Sequence, residues 1–94
     1  SIITPEGQVY EDRVESVVAP GECGSFGVLA FHAPMVAALE AGVLTLTSHG
    51  ARVYFALGAG LAEVSEGNVM ILADSADQAD SSEEAKRIVK EKGS

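Results

Sequence analysis

Short runs of β-type residues separated by turn signals fill residues 2–73, and that spacing constrains the fold more than any other feature of the chain. It leaves no room for the helices of alternating βαβ units. The pattern predicts a mainly β fold, a small antiparallel sandwich or flattened barrel. Ile2 and Ile3 lead into a turn at Pro5-Glu6-Gly7, and Gln8 to Glu11 resume extended structure as the second arm of a hairpin. Val14 to Ala19 form a third strand, apolar on both faces through Val17 and therefore expected between neighbours. Phe26 to Leu29 form a fourth. Met35 to Leu39 read as either a strand or a helical turn.

Val43 to Thr47 alternate cleanly, with Leu44 and Leu46 on one face and Val43, Thr45 and Thr47 on the other. Ser48-His49-Gly50 turns that strand into Arg52 to Leu57, a second hairpin. Gly58-Ala59-Gly60 then breaks the chain before Leu61 to Val64. This glycine pair lacks the lysine and helix of a phosphate-binding loop, so a bulge or tight sheet bend is expected. Val69 to Ala73 end the β region with a continuous apolar run, which reads as a buried strand. Asp74 follows, with its carboxylate expected to accept hydrogen bonds from nearby amides.

From there the composition turns small and charged. Ser81 followed by Glu84 resembles a capping box that starts a helix near Ser82, with Gly93 as its stop. Glu83 and Glu84 near its start and Lys90 and Lys92 near its end suit the helix dipole, while Ala85, Ile88 and Val89 make a narrow apolar stripe. The chain thus divides into a sandwich over residues 1–74 and a linker with one helix over residues 75–94.

The 94 residues are 47% hydrophobic but include three Phe, two Tyr and no Trp, so the core must be built from Val, Leu, Ile and Ala. The formal charge is −8. Residues 1–73 hold eight acidic side chains against two basic ones, which argues against nucleic acid or an anionic membrane surface as a direct partner. Cys23 stands alone, so no intrachain disulfide can form and a reducing compartment is expected. No signal peptide is visible, and the apolar runs fall far short of the roughly 18 to 20 residues of a membrane span.

Residues 21–42 combine glycine punctuation, a short apolar strand and a His32-Ala33-Pro34 corner. Gly21, Gly24 and Gly27 permit close backbone approach and Pro34 fixes φ, so the path is tightly prescribed and suits docking better than chemistry. His32 has no hydroxyl or thiol beside it in sequence. With His49 in a turn, the two histidines lack metal-ligand spacing. Cys23 has no basic neighbour to lower its pKa and reads as an inert thiol. No catalytic, cofactor or metal residue is assigned.

Several motifs occur in a fixed order: Ile3-Thr4-Pro5-Glu6-Gly7, Gly21-x-x-Gly24-x-Phe26-Gly27-Val28-Leu29, His32-Ala33-Pro34, Gly42-Val43-Leu44, Ala62-Glu63-Val64 and Val69-x-Ile71-Leu72-Ala73-Asp74. In order and spacing they resemble the epsilon subunits of F-type ATP synthases, called delta in mitochondria, over nearly all of residues 2–92. The resemblance implies a ten-stranded sandwich followed by a two-helix domain. It implies a non-catalytic rotor part without cofactors, clamping the central gamma subunit onto the ring of membrane c subunits. It places Thr4, His32, Ala37 and Leu39 toward gamma, and Glu22, Ser25, Phe26 and Phe31 toward the c ring. The location implied is the cytoplasmic face of a bacterial inner membrane, or the matrix or stroma side of an organellar one, with membrane contact only through partners.

Three departures from the family pattern matter. Ala30-Phe31 replace a common Pro-Gly before His-Ala-Pro, putting an aromatic side chain either at an interface or in the core. Ser25 is acidic in some relatives, and Glu22 either compensates or is a solvated loop charge. The chain also stops near the end of the first helix, where relatives usually continue through a helical hairpin, which puts regulation by that hairpin in doubt. An ATP-binding motif of some relatives, Ile/Leu-Asp-x-x-Arg-Ala, is replaced by Ser82-Glu83-Glu84-Ala85-Lys86-Arg87, so nucleotide binding is not expected. A second reading is a free-standing sandwich that recruits a protein partner, for example by strand addition. A small hydrolase would need a convergent polar cluster in a pocket, which the sequence does not offer.

Overall fold

The computed structural model describes residues 1–14, 16–21, 24–28, 35–65 and 68–92, with side chains for all of these except 20, 21, 24–28 and 35. Among them are ten strands and one helix: β1 (Ile2–Thr4), β2 (Gly7–Tyr10), β3 (Ser16–Gly21), β4 (Gly24–Val28), β5 (Met35–Leu39), β6 (Gly42–Ser48), β7 (Ala51–Leu57), β8 (Gly60–Ser65), β9 (Asn68–Ala73), β10 (Ala76–Ala79) and α1 (Ser82–Lys92). The strands pair in the order β10-β7-β6-β3-β5-β8-β9-β1-β2, with β4 added on β3. A single pair, Gly21 with Leu39, joins β3 to β5, so the path bends there into two layers. One layer holds β10, β7, β6, β3 and β4, and the other holds β5, β8, β9, β1 and β2.

Alternation along each strand fills the space between the layers. Val17, Ala19, Leu44, Leu46, Phe55 and Leu57 come from the first layer, and Ile2, Leu39, Ala62, Val64, Ile71 and Ala73 from the second, forming one buried cluster. The single large ring in it, Phe55, packs edge-on against Tyr10 at 5.2 Å between centroids. The alternation read at Val43 to Thr47 is realised, with Leu44 and Leu46 buried. Met35 to Leu39 are a strand. The His49-Gly50 turn has φ of 52° and 77°, the left-handed two-residue geometry whose twist matches the strands it joins.

Three sequence expectations are corrected. Residues 76–79, read as linker, form β10, which pairs with β7 from Ala76 opposite Leu57 to Ala79 opposite Tyr54. Two alanines, an aspartate and a glutamine carry little β propensity, and only the waiting edge of β7 recruits them. The sheet is not wholly antiparallel, because β1 runs parallel to β9, Ile2 beside Ile71 and Ile3 beside Leu72. Finally, β9 is not buried on both faces: Ile71 and Ala73 point inward, while Met70 and Leu72 are exposed.

The helix starts as expected. The Glu84 amide donates to Ser81 Oγ at 3.1 Å, but the Glu84 carboxylate accepts from the Asp80 amide rather than from Ser81, so the box closes one residue early. Gly93 lies outside the described residues. Helix α1 packs over β6, β7 and β10, where Ala56, Ala79 and Ala85 are all buried and small enough to admit it closely. Lys92 Nζ donates to the Asp77 carboxylate and ties the last turn to β10.

At one end of the sandwich two corner loops are stitched together. The Gly58 amide donates to the Ser75 carbonyl at 2.9 Å, and the Asp74 amide donates to the Ala59 carbonyl at 3.0 Å. A side chain on Gly60 would place its Cβ 1.9 Å from the Leu72 carbonyl oxygen, so the glycine serves close sheet approach, as the bend reading required. Asp74 holds this corner through its backbone amide. Among the described residues no amide donates to its carboxylate, which corrects the capping role expected of it.

Candidate functional site: an exposed apolar sheet face

The two layers differ on their outer sides. Helix α1 covers part of the first, whereas no described element covers the second. Register sets out what that bare face presents. Ala38, Leu61, Leu72 and Ile3 lie side by side across β5, β8, β9 and β1, because Ala38 pairs with Leu61, Leu61 with Leu72 and Leu72 with Ile3. The adjacent row holds Val36, Glu63 and Met70. Val36 is 66% exposed, Leu61 46%, Leu72 42% and Met70 39%, so four large apolar side chains face solvent in one contiguous patch. On a small soluble domain such a patch marks a docking surface. The row ends in an open groove of about 360 Å³ between the Ile3–Pro5 segment and the Ala59–Leu61 and Leu72–Asp74 segments.

The positions assigned from the resemblance fall unevenly on this geometry. Leu39 is fully buried and Thr4 is 7% exposed, with its Oγ1 accepting from the Glu6 amide at 3.2 Å. Neither side chain is presented at the surface. Both point into the core by strand parity, and Ala37 shares the parity of Leu39 and is half-buried. The outward neighbours Ile3, Val36 and Ala38 occupy the face instead. Ser25 and Phe26 lie on β4, opposite Pro20 and Ala19. His32, Glu22 and Phe31 lie outside the described residues, as does Cys23. By register Thr4, Leu39 and the Gly21–Gly24 end of the β3–β4 hairpin share one end of the sandwich with the stitched corner, while Met35, opposite Val64, begins β5 at the other.

Reading the apolar run of β9 as two-sided burial hides Met70 and Leu72, and the short run at Leu61 to Val64 on β8 does not say that Leu61 faces outward. A strand in a two-layer sandwich has one inner face, so apolar residues in excess of alternation must emerge outside. That excess was the available signal.

A polar cluster sits at the far end of the sandwich. Ser48 Oγ donates to the Arg13 carbonyl at 2.7 Å and lies 3.3 Å from Asp12 Oδ2, while His49 Nε2 lies 3.6 Å from Asp12 Oδ1. The hydroxyl donates to the Arg13 carbonyl, which cannot take its proton, and more distantly to the Asp12 carboxylate. Its effect is to pin residues 12–13 to the β6–β7 hairpin. The Asp12 carboxylate is held below its ordinary pKa, chiefly because the Arg13 amide donates to it at 2.7 Å, with Ser48 and His49 adding to the effect.

Residues 1–79 match the family described as ATP synthase, Delta/Epsilon chain, beta-sandwich domain, and the match ends at the last residue of β10. An ATP synthase epsilon chain of Campylobacter concisus (strain 13826) is 45% identical over 76 residues, covering 80% of this chain and 59% of the relative. One of Helicobacter acinonychis (strain Sheeba) is 39% identical over 102 aligned positions, covering 100% of this chain and 83% of the relative. A solved chain in the cryo-EM structure of the Euglena gracilis mitochondrial ATP synthase, OSCP/F1/c-ring in rotational state 1, superposes with a TM-score of 0.70 at 26% identity, covering 81% of this chain and 49% of that one. The chain spans about 60% of the length of several of the curated relatives it matches. With its ten paired strands and matching sequence, the chain belongs to the ATP synthase delta/epsilon family, through that family's β-sandwich domain.

Proposed function

We propose that this chain is a non-catalytic central-stalk subunit of a proton-driven F-type ATP synthase, joining the gamma subunit to the c-subunit ring so that rotation passes between them. The observation that carries the reading is the bare apolar face of Ile3, Val36, Leu61, Met70 and Leu72 on a cross-stitched sandwich. A rotor coupling needs a surface that sticks and a body that does not yield. This face is assigned to gamma, together with His32. The β4 side, with Ser25, Phe26, Glu22 and Phe31, is assigned to the c ring. Contact through Thr4, Ala37 and Leu39 then runs through their backbone and their outward neighbours, since their own side chains point inward. No helix among the described residues is long and apolar enough to cross a membrane, so membrane attachment is assigned to the partner subunits. The bacterial relatives favour the cytoplasmic face of an inner membrane.

Co-purification with recombinant gamma subunit and c ring tests this, with Leu61→Asp as the probe. Covering the exposed part of Leu61 stabilises a complex by about 1 kcal/mol, and an aspartate there adds a desolvation cost of several kcal/mol. Gamma binding should weaken roughly 100-fold or more while the free variant melts as wild type does. Retained affinity in Leu61→Asp would reject the face as the gamma site.

A further inference from the structure

Resting on the gamma assignment above, we infer that Glu63 is the polar anchor of this face and receives a lysine or arginine side chain of the gamma subunit. Glu63 is exposed and sits in the middle of the apolar patch, not at its rim. On β8 its near neighbour on the same face is Leu61. Across the sheet it is opposite Val36 on one side and Met70 on the other. Directly opposed side chains stand about 5 Å apart, so a partner reaching both Val36 and Met70 must also cover the carboxylate between them.

Among the described residues Glu63 makes no hydrogen bond or ion pair. Arg13, which lines a cleft with Met70, does not bridge to it. A carboxylate buried there without a counter-charge would oppose the apolar contact around it. The occupant must therefore bring a donor, and the strongly negative charge of this chain favours a cationic one. Glu63 thus fixes the register of docking, while Val36, Leu61, Met70 and Leu72 supply the area.

Affinity of recombinant gamma subunit for the full chain, measured at low and high salt for wild type, Glu63→Gln, Glu63→Lys and Leu61→Asp, tests this. Glu63→Lys should weaken binding on the order of 30-fold or more, and Glu63→Gln should weaken it less and flatten its salt dependence. An acidic substitution at the matching gamma cation should restore binding to Glu63→Lys. If both Glu63 variants bind as wild type does while Leu61→Asp fails, the face docks gamma without an anchor and this inference falls alone. If Leu61→Asp also binds normally, the gamma assignment of the face falls with it. Glu63 is exposed in the free chain, so matching melting curves will separate binding effects from folding ones.

Discussion

Gly60→Ala should damage the sandwich severely. Its Cβ would lie 1.9 Å from the Leu72 carbonyl oxygen and 2.7 Å from the Ala73 Cα, where ordinary van der Waals contact begins near 3.4 Å. The shortfall is about 1.5 Å against backbone, which cannot rotate away. Strands β8 and β9 must part by roughly that distance at the Gly60–Ala73 and Leu61–Leu72 pairs, stretching hydrogen bonds of about 2.9 Å beyond any useful length. Two lost bonds at about 1 kcal/mol each, plus the loosened packing around Leu39 and Ala73, give about 3 kcal/mol. For a domain of this size that is a fall in Tm of roughly 12–24 °C. Gly58→Ala is the comparison, because its Cβ would meet Ser75 Oγ at 3.0 Å, the Ser75 amide nitrogen at 3.2 Å and Asp74 Cβ at 3.3 Å, a shortfall of a few tenths of an ångström that costs about 1 kcal/mol. Thermal melting followed by circular dichroism compares the two. A Gly60→Ala melt within a few degrees of wild type would refute the close-approach argument, and with it the view that this corner stiffens the body.

Two further outcomes follow from local chemistry. Ser81→Ala removes the oxygen that accepts from the Glu84 amide and should cost about 1 kcal/mol, read as faster hydrogen exchange at Glu84 and a lower Tm; unchanged exchange would show that the cap is idle. Asp12 should titrate below its ordinary value of 3.8 in an NMR pH series, the Arg13 amide being the main cause. Because the folded pKa is the lower one, the stabilisation is present above about pH 4 and is lost as pH falls through the depressed value. Asp12→Asn should flatten stability only in that acid range, and a midpoint at or above 3.8 would contradict the geometry.

The asymmetry between the layers links fold to function. The first layer spends its outer surface on α1, through the small side chains Ala56, Ala79 and Ala85, and on an ion pair from Lys92 to Asp77. No described element covers the second layer in this way, yet it carries side chains that water does not favour. A chain that needed only solubility would carry polar residues at Val36, Leu61, Met70 and Leu72. Their exposure is consistent with a surface kept for a partner.

Much of this was written in the chain. Period-two alternation at Val43 to Thr47, the turns at Pro5-Glu6 and His49-Gly50, and the Ser81–Glu84 cap each depend on residues close in sequence, so local chemistry determined them. The motif order from Ile3 to Asp74 was sufficient to suggest the family. Local patterns, however, do not say which strand edge lies free or which face stays uncovered. Ala76–Ala79 became a strand only because β7 offered an unpaired edge, and β1 ran parallel to β9 only because the sandwich placed them side by side. Leu39 and Thr4 turned inward, and Leu61, Met70 and Leu72 outward, according to which layer each strand joined. Pairing across long sequence separations decides those questions, and it exists only once the two layers have closed on their core.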